Sequence, residues 1–203
     1  PVDPARPDAL LVDKYAMAYL PSAAVLLRQA TAPAAPRSLL TMAPARSRLR
    51  YAPEEAHSID ALFAPDSRLL VGNGATESQF KRLAGGFGML HLATHGLLNR
   101  VNPLLSGLEL EADAHNDGLL QVHEVLALRL RADLVTLSAC ETALGSGYFA
   151  EVPAGDDFVG MTRAFLAAGS ASVVAALWDV DDRAAGVLMK RFYERLKQSV
   201  DTE

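Results

Sequence analysis

The sequence predicts an α/β domain, a three-layer sandwich in which a mostly parallel central sheet is flanked by helices. Three observations predict it. Apolar runs of strand length, rich in Val, Leu and Ala, recur along the chain without polar alternation, as strands covered on both faces do. Each run is followed by a stretch of helical periodicity, opened by a capping residue or a proline. Half of the 203 residues are hydrophobic, enough for one sizeable core.

Residues 1–14 hold three prolines and little periodicity, and read as a flank to a domain over 15–203. Tyr15–Leu20 reads as a short strand. Pro21-Ser22 then opens a helix through Arg28, and the Pro/Ala-rich stretch Thr31–Pro36 breaks it. Five β-then-α units are expected after that. Ser38–Met42 is a buried strand, and Pro53 sits in the first turn of a helix running to Phe63. Arg68–Val71 is the next strand, closed by Gly72-Asn73-Gly74, with Thr76 capping a helix. Phe87–Thr94 is the third strand and ends at His95-Gly96.

Ser106–Ala112 alternates apolar and charged residues, the pattern of an edge ribbon. Asn116-Asp117-Gly118 supplies a turn and Leu119-Leu120 a return arm. A helix over Val122–Leu128 leads into the run Ala132–Thr142, a strand carrying the chain's one cysteine, Cys140. A glycine-rich loop, Gly145 to Gly155, follows it. Asp156 and Asp157 cap a helix from Phe158 to Ala168, closed by Gly169. Ser172–Trp178 is the fifth strand, and Asp181-Asp182 cap a last helix with Leu188, Phe192 and Leu196 at helical spacing.

The net charge of −5 argues against nucleic acid or an anionic membrane as a direct partner. The small group Arg46, Arg48 and Arg50 reads as a solvated loop. No apolar run reaches the roughly 18 residues that span a bilayer. One cysteine fits a reducing, cytoplasmic setting. The start at Pro1 and the polar helical end predict a piece excised from a longer protein.

A single thiol makes no internal disulfide and is too few for a cysteine metal site. It is either a small buried residue or a nucleophile. In a parallel sheet, reactive groups gather at the carboxyl ends of the strands, where both His95 and Cys140 are expected. They lie 45 positions apart on strands joined by one crossover, so the strand ends fall near each other. An imidazole beside a thiol takes its proton, and Gly96 with Cys140 would supply backbone N–H groups to an oxyanion. His91 and His95 share a strand face about 13 Å apart, too far to share a metal ion. Gly72-Asn73-Gly74 lacks the spacing of a nucleotide loop and reads as a turn. Neither a metal nor a cofactor is expected.

Four ordered motifs carry a resemblance: His91-Leu92-Ala93-Thr94-His95-Gly96; Leu137-Ser138-Ala139-Cys140-Glu141-Thr142; Gly155-Asp156-Asp157-Phe158 with Arg163–Gly169; and Val173–Asp182. With Tyr19-Leu20-Pro21-Ser22 as the opening segment, they resemble the CHAT domain family of caspase-like peptidase domains from about residue 15 to 197. The resemblance implies a caspase-hemoglobinase fold and a His–Cys dyad. His95 is then the acid/base and Cys140 the nucleophile, with the Gly96 N–H in the oxyanion hole. It also implies a protein or peptide substrate and control by a fused sensor domain or an activating protein, in settings such as bacterial defence or signalling. Asp156 and Asp157 then have a second role beside capping, as an acidic substrate-binding wall favouring Lys or Arg at the cleavage position. A non-catalytic caspase-like interaction module is the alternative from another class, and another thiol hydrolase or acyltransferase a third.

Overall fold

The structure, a computed structural model, describes residues 10–11, 14–15, 37–99, 101–141, 159–176 and 180–200. The chain divides into a short unit, Pro1–Ala32, and a main unit, Pro33–Glu203. The main unit carries every element described below. The expected strand at 15–20, the helix at 21–28, the loop from Gly145 to Gly155, Asp156, Asp157 and Trp178 lie outside the described residues.

Five strands run parallel: β1 (Leu39–Ala43), β2 (Ser67–Val71), β3 (Met89–Leu97), β6 (Leu134–Glu141) and β7 (Ser172–Ala175). Their order across the sheet is β2-β1-β3-β6-β7. A ribbon of two short antiparallel strands, β4 (Gly107–Glu109) and β5 (Leu119–Gln121), attaches to the far end of β3 through Gly96–Leu108 and Leu97–Gly107. The helices are α1 (Ala52–Phe63), α2 (Glu77–Leu83), α3 (Val122–Leu126), α4 (Val159–Ala168) and α5 (Asp182–Val200).

Alternation along each strand sends residues to two different cores. Leu40, Met42, Leu90, Leu92, Val135 and Leu137 face Phe80 of α2, Val125 of α3 and Phe165 of α4. Phe80 and Phe165 meet edge to face, with centroids 6.4 Å apart. Leu39, Met89 and Leu134 face the other way, toward Ile59 and Phe63 of α1 and Tyr193 of α5. Each fully buried Leu or Phe contributes about 1.5–3 kcal/mol through its removal from water. The sheet is therefore covered on both faces, which is why its strands lack the regular apolar–polar alternation of a half-exposed sheet.

Two sequence expectations shift. β3 continues past Thr94 through His95 and Gly96 to Leu97, because β6 and β4 both offer it pairing there. The 106–112 segment, by contrast, forms the expected ribbon at the edge of the sheet, with Leu108 and Leu110 buried and Glu109 and Glu111 on the other face, partly exposed. On α5 the packed residues are Met189, Phe192, Tyr193 and Leu196, while Leu188 is 59% exposed. Leu188 lies five residues before Tyr193, roughly 140° around the helix, so it faces water.

The turn between β4 and β5 is braced by α2. Thr76 caps α2 by accepting from the Gln79 N–H. The buried Glu77 carboxylate accepts from the Gly118 N–H at 2.9 Å. Lys81 joins Glu77 to Glu124 and donates to Asn116. Burial pushes the Glu77 carboxyl above its usual range. Burial would lower Lys81, but its bonds to Glu124 and Glu77 outweigh that and raise it. Asp113 accepts from the His115 N–H and from the Ser78 hydroxyl and N–H, which holds its carboxyl well below its ordinary 3.8. Arg46 also closes on this turn, donating to the Asp117 carbonyl at 2.8 Å.

Two predictions follow from these contacts. Gly169 ends α4 with φ +121°, and a Cβ there would lie 2.3 Å from the Leu130 carbonyl oxygen. Gly169→Ala should cost roughly 3 kcal/mol or more, read as a lower urea midpoint at unchanged slope. The depressed Asp113 carboxyl contributes stability above pH 3.8 and loses it as pH falls below that value. Asp113→Asn should accordingly be less stable than wild type at neutral pH, and the gap should close in acid. Urea melts of both proteins across this range measure it.

Candidate active site

The β3–β6 ladder is the longest pairing in the sheet, and it runs to the ends of both strands. His91 pairs with Thr136, Ala93 with Ser138, His95 with Cys140 and Gly96 with Glu141. His95 and Cys140 are thus register partners on adjacent parallel strands, whose axes lie about 4.8 Å apart. They sit on the last residues of the strands rather than on loops beyond them. The apolar lower halves of both strands, Leu90, Leu92, Val135 and Leu137, fix that register, because a slip of one would send them to the other face.

The other edge of β3 is shared. β1 pairs with it only up to Met42–Leu92, and β4 begins at Gly96. Residues 93–95 fall between those two ladders, at the point where the strand order reverses. In open α/β sheets a crevice at such a point is where ligands bind. Thr94 turns to the opposite face and donates to the Glu109 carbonyl, tying the end of β3 to the ribbon. The His95 side chain is half-buried, and its Nδ1 is buried with no hydrogen-bond partner among the described residues. Gly96 is buried in the ladder between β4 and β6.

The helix layer on the His91 face is anchored close by. Ala52 and Ala56 of α1 pack on Ala43 and Ala93, and their small side chains let the helix approach the sheet. The Tyr51 N–H, at the start of α1, donates to the Asp182 carboxylate, at the start of α5, at 2.9 Å. The N-termini of α1 and α5 therefore meet at the carboxyl edge of the sheet. A cavity of about 550 Å³ opens between them, lined by Tyr51, Glu54, Glu55, Ser58, Arg183 and Gly186 among others.

The structure gathers His95, Gly96 and Cys140, and separates the other histidines from them. His91 is fully buried, four residues below His95. His123 Nδ1 lies 3.3 Å from the Leu104 carbonyl, and His115 lies in the braced turn. Among the described residues no group of three His, Cys, Asp or Glu is placed to hold a metal ion. No described helix is long and apolar enough to cross a membrane. One feature has no counterpart in the sequence reading. Glu55, an α1 residue with the pattern of a solvated first-turn acid, is buried against His91 with Oε1 2.9 Å from Nε2. Its position on the apolar side of α1, four before Ile59, was the available signal.

His95 and Cys140 are backbone register partners near the carboxyl ends of adjacent parallel strands. The sequence profile of the CHAT domain matches residues 2–202. Over 78 residues the chain is 42% identical to mouse tetratricopeptide repeat protein 28, a stretch that covers 38% of this chain and 3% of that protein. Among solved structures, a flavodoxin from Streptococcus pneumoniae TIGR4 aligns with 80% of this chain and 99% of its own at 14% identity, with a TM-score of 0.42. With the profile covering essentially the whole length, the chain belongs to the CHAT domain family.

Proposed function

We propose that this domain is a caspase-like cysteine endopeptidase working through a His95–Cys140 dyad. The observation that supports it most directly is the register of β3 on β6, which makes the two residues partners at adjacent strand ends. Register partners on neighbouring parallel strands belong to one face of the sheet.

A cysteine reacts as its thiolate, and its free pKa of about 8.5 leaves little thiolate at neutral pH. In this reading the His95 imidazole takes the Cys140 proton. The thiolate sulfur bonds to the scissile carbonyl carbon, and the carbonyl π electrons move onto oxygen. Backbone N–H groups of Gly96 and Cys140 receive that oxyanion. Both residues lie in the β3–β6 ladder, so the oxyanion competes there with strand carbonyls. As the tetrahedral species collapses, the C–N bond breaks and His95 protonates the departing amine. Water, deprotonated by His95, then hydrolyses the thioester and restores the thiol. The stretch of β3 between its two ladders, residues 93–95, is assigned to an extended peptide, and Asp156 and Asp157 to the subsite that prefers Lys or Arg. Control by a fused sensor domain or an activating protein, and a role in defence or signalling, complete the proposal.

Cys140→Ala should abolish cleavage of a cognate substrate and leave the melting temperature within a few degrees of wild type. His95→Ala should lower the turnover by about 10²- to 10⁴-fold. Cleavage assays on the activated protein and calorimetry measure both. Undiminished cleavage by folded Cys140→Ala would assign the activity elsewhere and leave the domain an interaction module.

A further inference from the structure

Behind the dyad, on the face of β3 that carries His91, lies a polar layer in an otherwise apolar core. Thr41, His91 and Thr136 are register partners on β1, β3 and β6 and form a row across the sheet, each of them fully buried. Two side chains cover the row from above. Tyr193 of α5 stands edge-on to the His91 ring, with centroids 5.4 Å apart, and donates its hydroxyl to Thr136 Oγ1 at 2.8 Å. Glu55 of α1 brings Oε1 to 2.9 Å from His91 Nε2. That approach lacks hydrogen-bond geometry, and both His91 ring nitrogens, Glu55 Oε1 and Thr41 Oγ1 are buried without hydrogen-bond partners. The contact is therefore a close approach of two buried groups rather than a hydrogen bond, beside the cavity that Glu55 also lines.

Such a layer is a poor way to gain stability. Buried ion pairs seldom outperform apolar residues of the same volume, and each unmade hydrogen bond is a further cost. What the layer supplies is position. An apolar helix face can slide along a sheet with little change in energy, whereas a carboxylate paired with one imidazole has a single low-energy register. Glu55 lies one turn after Ala52 and next to Ala56, both of which pack on Ala93, and Ala93 lies midway between His91 and His95. One turn further toward the start of α1, the Tyr51 N–H is held by Asp182. Pairing Glu55 with His91 thus sets the height of α1 along β3, the strand that carries His95.

We propose that Glu55 and His91 are positioning residues for the dyad: their buried pairing fixes α1 against β3 and so holds His95 where it can take the Cys140 proton. This rests on the dyad reading above. Because Cys140 is the chain's one cysteine, alkylation by iodoacetamide reports on it alone.

The experiment measures the alkylation rate against pH, together with thermal melts, for wild type, His95→Ala, Glu55→Gln and the double variant Glu55→Leu/His91→Phe. If wild type and His95→Ala both titrate near the free-thiol value of about 8.5, the dyad reading itself fails. If wild type titrates lower and depends on His95, the positioning inference is under test alone. The expected result is a double variant that melts at or above wild type, yet alkylates at least tenfold more slowly at neutral pH, with its midpoint moved toward that of His95→Ala. Glu55→Gln, which keeps the shape and loses the charge, should move the midpoint in the same direction. A Glu55→Gln protein with the wild-type profile would overturn the inference, whatever its melting temperature and whether or not the double variant folds.

Discussion

Eight consecutive residues of β3 pair with eight of β6, from Met89–Leu134 to Gly96–Glu141, and everything of functional interest hangs on that ladder. Its register is decided far from the site. Leu90, Leu92, Val135 and Leu137 must all enter the core built on Phe80 and Phe165, and a slip of one position would turn a pair of them away from it. The carboxyl ends inherit the decision, and His95 arrives beside Cys140 as a consequence of aliphatic packing several residues away. Hydrophobic burial is non-directional, yet the period of two along a strand turns it into a device that places polar residues to within one position.

The two helix layers do different work. The layer of α2, α3 and α4 has the larger apolar cluster, with its aromatic pair at the centre. The layer of α1 and α5 mixes a smaller apolar cluster with the Glu55–His91–Tyr193–Thr136 group. Burial raises the Tyr193 hydroxyl far above its ordinary range, and the nearby Glu55 charge adds to that. Tyr193 therefore remains a neutral donor to Thr136 throughout the accessible range. This second layer lies on the side of the sheet to which His91, Ala93 and His95 belong.

Much of this was legible in the sequence because it follows from local pattern. The parallel strands, the Thr76 cap, the Asn116-Asp117-Gly118 turn and the helix ended by Gly169 each rest on residue chemistry within a few positions. The pairing of His95 with Cys140 was legible through crossover geometry and the four motifs. What escaped depends on partners distant in sequence. Nothing near Thr94 indicates that β3 continues, since the cause is the arrival of β4. Leu188 matches a helical stripe as well as Met189 does, and only the position of Thr136 beneath Tyr193 selects between them. Glu55 resembles any first-turn acid until His91 is seen below it.

The ribbon of β4 and β5 shows why the end of β3 is held so firmly from a side that contributes no reacting group. Beyond Leu92, β3 has lost β1 as a partner, and a strand with one free edge frays. β4 replaces that partner at Gly96 and Leu97, and the Thr94 hydroxyl adds a bond to the Glu109 carbonyl. A two-stranded ribbon is barely stable alone, so it is held in turn by Glu77, Lys81 and Asp113 around its turn. The charged brace on α2 therefore supports the ribbon, the ribbon supports the strand end, and the strand end carries His95. Residues 93 to 95 lie between the β1 and β4 ladders on that edge, and the Thr94 hydroxyl ties them to the ribbon.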